Sequence, residues 1–476
     1  MVSNNQATEV PHERKNSEID LDKSKWPKKK KCRPAPKLCQ LFEIIKEYDL
    51  KDAENIEITV VESIKSEFQK INDPRDPSYV KHKLADVLLI MLLAVIAGNN
   101  TWYDIEIFAR CHVRFLTKLL GLEYGVPTDS TFQLVVSHID MNIVFGMVNK
   151  LLINRINDVI DHYYTGTPES KEPDVISYDG KASRSSGRNE TFDQPETKPL
   201  FTLNAFSSDL GMCLNQSFIN KKSNEIPEMP LLIQNMDISG VVVTCDALNT
   251  QYATAAAIIN GGGMYVMPVK GNKKTLYTEL SDYFSDDLRN QLEASACAKP
   301  LYKIVVEKEH GGTAIREYYI SFNINRLYKR VDWTGFTAVG MARRIFRSNS
   351  PGKPVTYHDR YFILGGVKDI ETFARSVREH WHVENKCNWH LDFTMKDDAN
   401  KTMPGNGAEG LQLMKKAALA VLNVARALFP PYVSLNFIRS TLSQGFETEI
   451  LRVLAILDLD TLIKANPKEF EPVCTV

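Results

Sequence analysis

The chain has 476 residues, 43% of them hydrophobic and 25% charged, with a formal net charge of −1. That length allows two or three domains around a sizeable core, and the composition is that of an ordinary soluble globular protein. The longest apolar run, Val87 to Ala97, is about half the roughly 20 residues needed to span a bilayer, so no membrane partner is expected. With no global excess of positive charge, binding to a polyanion must rest on local basic patches. The eight cysteines (32, 39, 111, 213, 245, 297, 387 and 474) are scattered and form no CxxC pair, as expected of reduced thiols. The N-terminus carries no charged-then-apolar signal pattern, and a cytoplasmic location is expected.

Residues 1–37 are poor in apolar side chains and include WPKKKKCRPAPK, with ten basic residues against five acidic ones. They are expected to form a basic, disordered tail, with Lys28 to Lys31 either a phosphate-contacting arm, a targeting signal or simply solvated. Residues 38–165 read as helices. Leu38, Phe42 and Ile45 recur at helical spacing, and VVESIKSEFQKI continues the pattern up to the proline-containing NDPRDPS. KHKLADVLLIMLLAVIAG is a basic-headed buried helix closed by Gly98, and its Lys81, His82 and Lys83 could meet a phosphate at the N-terminus. A single helix is expected from Asn100 or Thr101 to Gly121, and another after Pro127. Short helices and tight turns suit a DNA-binding module, and equally any small helical domain.

From about 174 to 270 the pattern changes. VISYDG reads as a strand, LFTLNAFSSDLGMCLNQSFI as two strands around the Ser207–Gly211 turn, MPLLIQNMDI as a helix and GVVVTCDA as a buried strand. TQYATAAAIINGGG is a helix and MYVMPVKGN a further strand, which together describe an α/β mixed sheet covered by helices. Residues 275–368 are strand-rich (KIVVEKEHG, AIREYYISF, FTAVGMARRIF, RYFILGGV) and are taken as a β insertion. Residues 369–425 contain REHWHVENKCN and the helix EGLQLMKKAALAVLNVARALF, and 426–476 read as a C-terminal helical segment.

Glu384 lies at the centre of REHWHVENKCN. On an α-helix, His380, Trp381, Cys387 and Asn388 would crowd round it on one face. Asp179 ends the apolar run of VISYDG and precedes a small, basic stretch with Lys181, Arg184 and Arg188; Asp246 ends VVVTC. Two strand-borne aspartates and one helix-borne glutamate supply hard oxygen ligands for Mg²⁺ or Mn²⁺, and a pair of such ions can drive phosphodiester chemistry without a side-chain nucleophile. The bland alternative is that each aspartate is only a turn or N-cap residue. The loop KGNKK offers Lys270, Lys273 and Lys274 to DNA phosphates, or is a solvated turn. A zinc site of His380, His382, Cys387 and His390 is disfavoured, because on a helix the first two point about 200° apart.

These segments carry a resemblance. DGKASRSSGR, TCDALNTQ and REHWHVENKCNWHLDFTMKDDANK resemble the three acidic blocks of bacterial insertion-sequence transposases of the DDE type, in particular the ISAs-type, H-repeat-associated subgroup. DPRDPSYVKHKLADVLLIMLLAVIAGNNTWYDIEIFA, followed by VPTDSTF, is similar to that subgroup's transposase-associated domain. The resemblance spans roughly residues 70 to 425. It implies an RNase H-like catalytic core formed by 166–274 and 369–425, interrupted by the insertion and preceded by a DNA-binding helical domain. It also implies two Mg²⁺ ions, double-stranded DNA as partner, a homo-oligomer on that DNA in the nucleoid, and cleavage and strand transfer at element ends. By position Asp179, Asp246 and Glu384 take the triad roles, with His380 and Asn388 contacting the scissile phosphate or orienting Glu384. Asn249 stands where a His is usual, Asp397 where a Glu is common and Lys401 where an Arg is usual. A nuclease without strand transfer and a co-opted, non-catalytic DNA-binding protein are the competing readings.

Overall fold

The computed structural model describes residues 57–163, 172–187, 196–219, 225–295, 300–325, 327, 330–402, 405–426, 429 and 433–455. The basic tail, the expected helix from Leu38, Arg188 and residues 456–476 lie outside the described residues. Among the described residues six helices precede the sheet: α1 (Glu57–Phe68), α2 (Leu84–Ile96), α3 (Trp102–Cys111), α4 (Val113–Leu120), α5 (Asp129–His138) and α6 (Met141–Tyr163). Every residue of α2 is buried, as its continuous apolar run requires, and its one acid, Asp86, is neutralised by Lys65 at 2.7 Å. The single helix expected from 100 to 121 is two. Thr101 caps the first through Asp104, Gly121 closes the second in the left-handed region, and between them His112 leaves helical geometry (φ −105, ψ 20).

Nine strands form one sheet in the order β3-β2-β1-β4-β5-β9-β8-β7-β6. They are β1 (Val175–Ser183), β2 (Leu200–Ser207), β3 (Met212–Ile219), β4 (Val242–Cys245), β5 (Met264–Val269), β6 (Tyr302–Glu309), β7 (Gly312–Ser321), β8 (Phe336–Ser348) and β9 (Thr356–Gly365). β1, β2 and β3 are antiparallel neighbours, whereas β4 and β5 run parallel to β1. The strands of the expected insertion are not a separate sheet: β9 pairs antiparallel with β5, Tyr265 opposite Gly365, and extends the same sheet outward. Two helices, α9 (Lys274–Tyr283) and α10 (Asp286–Glu293), come before those strands.

Side-chain alternation divides the sheet into two faces. Ile176, Tyr178, Val243, Cys245, Tyr265 and Met267 pack under α7 (Glu225–Gln234), α8 (Tyr252–Asn260) and α9. Helix α7 starts four residues before the expected stretch and tolerates Pro230 inside it. Val175, Val242 and Val266 face the opposite way, against α11 (Ile370–Glu379). Further along that face lie α12 (Trp389–Phe393) and α13 (Asn406–Ala425), followed by α14 (Leu435–Gln444) and α15 (Phe446–Ala455). One continuous apolar cluster joins α1–α6, α13, α14 and α15 with Val383, Cys387 and Leu391, so the N-terminal helices share a core with the elements that carry the site. No single helix among the described residues is long and apolar enough to cross a membrane.

Candidate active site

Strand pairing brings the two aspartates side by side. Tyr178 of β1 pairs with Cys245 of β4, and the next residue on each chain is Asp179 or Asp246. Both follow the register of Ser177 and Thr244, so both belong to the α11 face. The strand does not end at Asp179, as the apolar run suggested: β1 continues to Ser183, paired with β2, and Asp179 sits mid-strand opposite Asn204.

The third acid comes from an element the sequence pattern misjudged. The stretch around Glu384 is not one α-helix. α11 ends at Glu379, and Val383–Asn388 form a π-helix in which the Trp389 amide donates to the Glu384 carbonyl, five residues back. Such widened turns are frequent at functional sites. Asp179, Asp246 and Glu384 line one cleft of about 190 Å³, together with Lys270, Arg360, His380 and Trp381.

Each aspartate is held by amides. Asn388 Nδ2 donates to Asp179 Oδ2 at 2.9 Å, Asn204 Nδ2 donates to Asn388 Oδ1 at 3.0 Å, and Lys416 Nζ donates to Asn204 Oδ1 at 2.6 Å. Lys416 is buried and also bonds Gln216 and Gln412; burial pulls its pKa down. Asp246 caps the 3₁₀ turn Ala247–Asn249, accepting from the Asn249 amide at 3.1 Å and its Nδ2 at 2.9 Å. Asn249 Nδ2 also reaches the buried Glu225 at 3.1 Å, so this amide bridges two acids. Gly180 makes room for Glu225: a Cβ there would stand 2.1 Å from Glu225 Oε1. The Glu384 side chain is exposed and has no hydrogen-bond or ion-pair partner among the described residues. The three acids share the cleft without forming a ready-made ligand cluster. Among the described residues, no group of three or more His, Cys, Asp or Glu is close enough together to hold a metal ion.

Two of the residues expected to contact DNA, Asn388 and Lys181, are buried. Asn388 is buried, donating to Asp179 and accepting from Asn204. Lys181 is also buried. Alternation turns it to the same face as Asp179, where it pairs with Asp392 and lies 3.8 Å from Asp397 and 3.9 Å from Asp398. Asp397 in turn accepts from Ser183 at 2.5 Å and lies 3.6 Å from Lys415; burial pushes its pKa up, but Lys415 and Lys181 more than offset this and leave it lowered. Arg184 is exposed beside Asp398. Lys270 and Lys274 are exposed, Lys270 on the cleft itself, while Lys273 bonds Gln251 at 2.8 Å and lies over Tyr252. His380 Nδ1 lies 3.2 Å from Thr244 Oγ1. Burial, and then the charges of Arg360 and Lys270, pull its pKa down to about 4 against the opposing pull of Asp246, so the ring is neutral at pH 7.

Glu225, Asn204, Lys416 and Arg360 were not legible as site residues. For two of them the sequence carried a faint signal, polarity beside apolar residues: Asn204 within LFTLNAF and Lys416 within QLMKKAALAVL.

Residues 65–146 match the DDE_Tnp_1-associated family. "Putative protein YbfL" of Escherichia coli strain K12 is 32% identical over 357 residues, covering 74% of this chain and 88% of that protein. The "H repeat-associated putative transposase YhhI" of the same strain is likewise 32% identical over 357 residues, with the same coverage. The cryo-EM structure of the piggyBac transposase synaptic complex with hairpin DNA aligns over 89% of this chain and 84% of that chain, at 13% identity and a TM-score of 0.33, a likeness too distant to carry an argument.

Proposed function

The chain belongs to the H-repeat-associated family of DDE transposases, and from that membership we propose that it cuts and rejoins DNA phosphodiesters at the ends of an insertion sequence, with Asp179, Asp246 and Glu384 as its catalytic acids. The observation that carries this reading is the single cleft lined by all three, although they come from positions up to 205 residues apart (384 − 179). The β3-β2-β1-β4-β5 part of the sheet, an antiparallel hairpin followed by parallel strands, is read as the RNase H-like core.

The donor chemistry suits Mg²⁺ or Mn²⁺: three carboxylates offer hard oxygens, and the Cys245 thiol on the same lining is buried, its pKa raised by that burial and then by Asp246. Such ions, when bound, supply activation of the attacking oxygen and stabilisation of the leaving oxygen. The protein's own part is positioning and charge. Asn388 and Asn249 fix the rotamers of the two aspartates, which removes the cost of ordering them when substrate arrives. Lys270 on the rim and Arg360 on the wall offset the repulsion between an acid-lined cleft and a phosphodiester. Neutral His380 offers a hydrogen bond without adding charge. Double-stranded DNA is the partner, engaged as a homo-oligomer.

The test is incubation of the protein with DNA carrying the native element ends, with Mg²⁺ or with EDTA. Wild type should cleave with Mg²⁺ alone, and joined products distinguish a transposase from a simple nuclease. Glu384→Gln should bind the same DNA and leave it intact; cleavage near the wild-type rate would remove Glu384 from the mechanism.

A further inference from the structure

A second groove adjoins the acidic cleft. Its lining gathers Arg316 of β7, Arg343 and Arg344 of β8, His358 and Arg360 of β9, and Arg378 of α11. Arg360, Val377 and Trp381 line both cavities, so the groove and the cleft share a wall.

The sheet register here is unusual. Arg316 lies directly opposite Arg344, and Arg344 directly opposite His358, so one row across three strands carries basic side chains only. Like charges in cross-strand register destabilise a sheet. Carboxylates offset part of this: Arg316 lies 3.1 Å from Glu307 and also pairs with Glu309, Arg378 lies 3.0 Å from Glu307, and Arg344 2.5 Å from Glu309. Three arginines thus draw on two acids, while Arg343, one residue out of phase, turns to the other face of the sheet and pairs with Asp359 there. Arg360, on the face of the row, makes no ion pair among the described residues; it is exposed, and its guanidinium lies 5.0 Å from the centroid of the exposed Trp381 ring. Partial burial of the guanidinium, and then the nearby charges of Arg316 and Arg344, pull its pKa down. A planar, weakly hydrated guanidinium held over an indole, beside more arginines in a row, is the chemistry that receives phosphate oxygens.

We propose that this row is a phosphate track, along which the DNA backbone flanking the cut bond leaves the acidic cleft and crosses β9, β8 and β7, with Arg360 gripping the phosphate nearest the cleft. The track rests on the transposase reading above, and it gives the strands at 302–365 a role in holding DNA.

The experiment is fluorescence anisotropy of labelled duplex DNA, one with the element's terminal sequence and one unrelated, over a range of salt. It uses the full chain as wild type, Arg360→Gln, Arg360→Lys and Arg344→Gln. A lost phosphate contact should make the slope of log affinity against log salt shallower by about 0.9, which at about 0.15 M salt is roughly a fivefold loss. Arg360→Gln should show that loss equally on both duplexes, and Arg360→Lys should keep the wild-type slope because it keeps the charge. Arg344→Gln, further along the row, provides an independent reading should Arg360→Gln fail to fold. If wild type binds and cleaves element ends while Arg360→Gln and Arg344→Gln keep its slope and affinity, the track is wrong and the transposase reading stands. If wild type binds neither duplex, both fall.

Discussion

Replacing Lys181 separates a structural lysine from a DNA contact. Its side chain is 3% exposed and lies among Asp392, Asp397 and Asp398. Removing one member of a buried ion pair costs about 3–5 kcal/mol, because the remaining charge is left without its partner. Two features place Lys181→Ala at the lower end of that range. Asp392 and Asp398 are 38% and 31% exposed and can turn to water, and the fully buried Asp397 keeps Lys415 at 3.6 Å. The expected loss is therefore about 3 kcal/mol, or a fall in the first urea midpoint of about 1 M for a slope near 3 kcal/mol/M. The same protein, measured below that transition, should bind duplex DNA with an unchanged salt dependence. A Lys181→Ala protein within about 1 kcal/mol of wild type, with a salt slope shallower by about 0.9, would refute the structural role and restore Lys181 to the DNA path.

Asn388→Ala removes the donor to Asp179 and strands the Asn204 amide; cleavage should fall about 10–100-fold with DNA affinity unchanged, and unchanged cleavage would show that Asp179 needs no such support. Glu379 gives a pH signature. Burial first, then Asp209 and Asp174, raise its pKa from 4.5 to about 7 against the opposing pull of Arg375. A folded state that holds this proton more tightly than the unfolded chain gains stability that is complete below about pH 4.5 and is lost as pH rises through about 7. Glu379→Gln should therefore be more stable than wild type at pH 8, by up to about 3 kcal/mol, and nearly equal to it at pH 4.5; equal midpoints at both pH values would contradict the buried, charge-averse site.

The strands at 175, 200–219, 242–245 and 264–269 were legible because each is a short apolar run bounded by turn residues. Their joining with β9 was not, since the Tyr265–Gly365 pairing spans a hundred residues and leaves no periodic trace. The π-helix escaped for a related reason: it differs from an α-helix by one residue per turn of hydrogen bonding, and the apolar spacing of Val383, Cys387 and Leu391 suits either. The burial of Lys181 was not legible, because a lysine after Asp-Gly reads as part of a basic loop, whereas strand β1 continues and its partner acids lie more than 200 residues away. The two aspartates stood out because carboxylates after apolar runs are visible locally, and Glu384 gained meaning only beside those two segments. The amides that hold two of them are visible only in three dimensions.

The contrast among those acids has a mechanistic consequence under the proposed reading. Asp179 is fixed through Asn388 and Asn204 to the buried Lys416, and Asp246 through Asn249 to Glu225, so neither aspartate can turn without breaking a buried polar chain. Glu384 stands exposed on a π-turn and has no such restraint. Since the three do not meet as a ligand cluster, the member that completes the set is the one whose rearrangement costs least. An exposed glutamate moving between staggered rotamers breaks no hydrogen bond, whereas either aspartate would forfeit a charge-assisted one of roughly 1.5–3 kcal/mol. Glu384 is then the acid that moves. Its π-turn is the element whose stiffening would slow cleavage while leaving both aspartates in place.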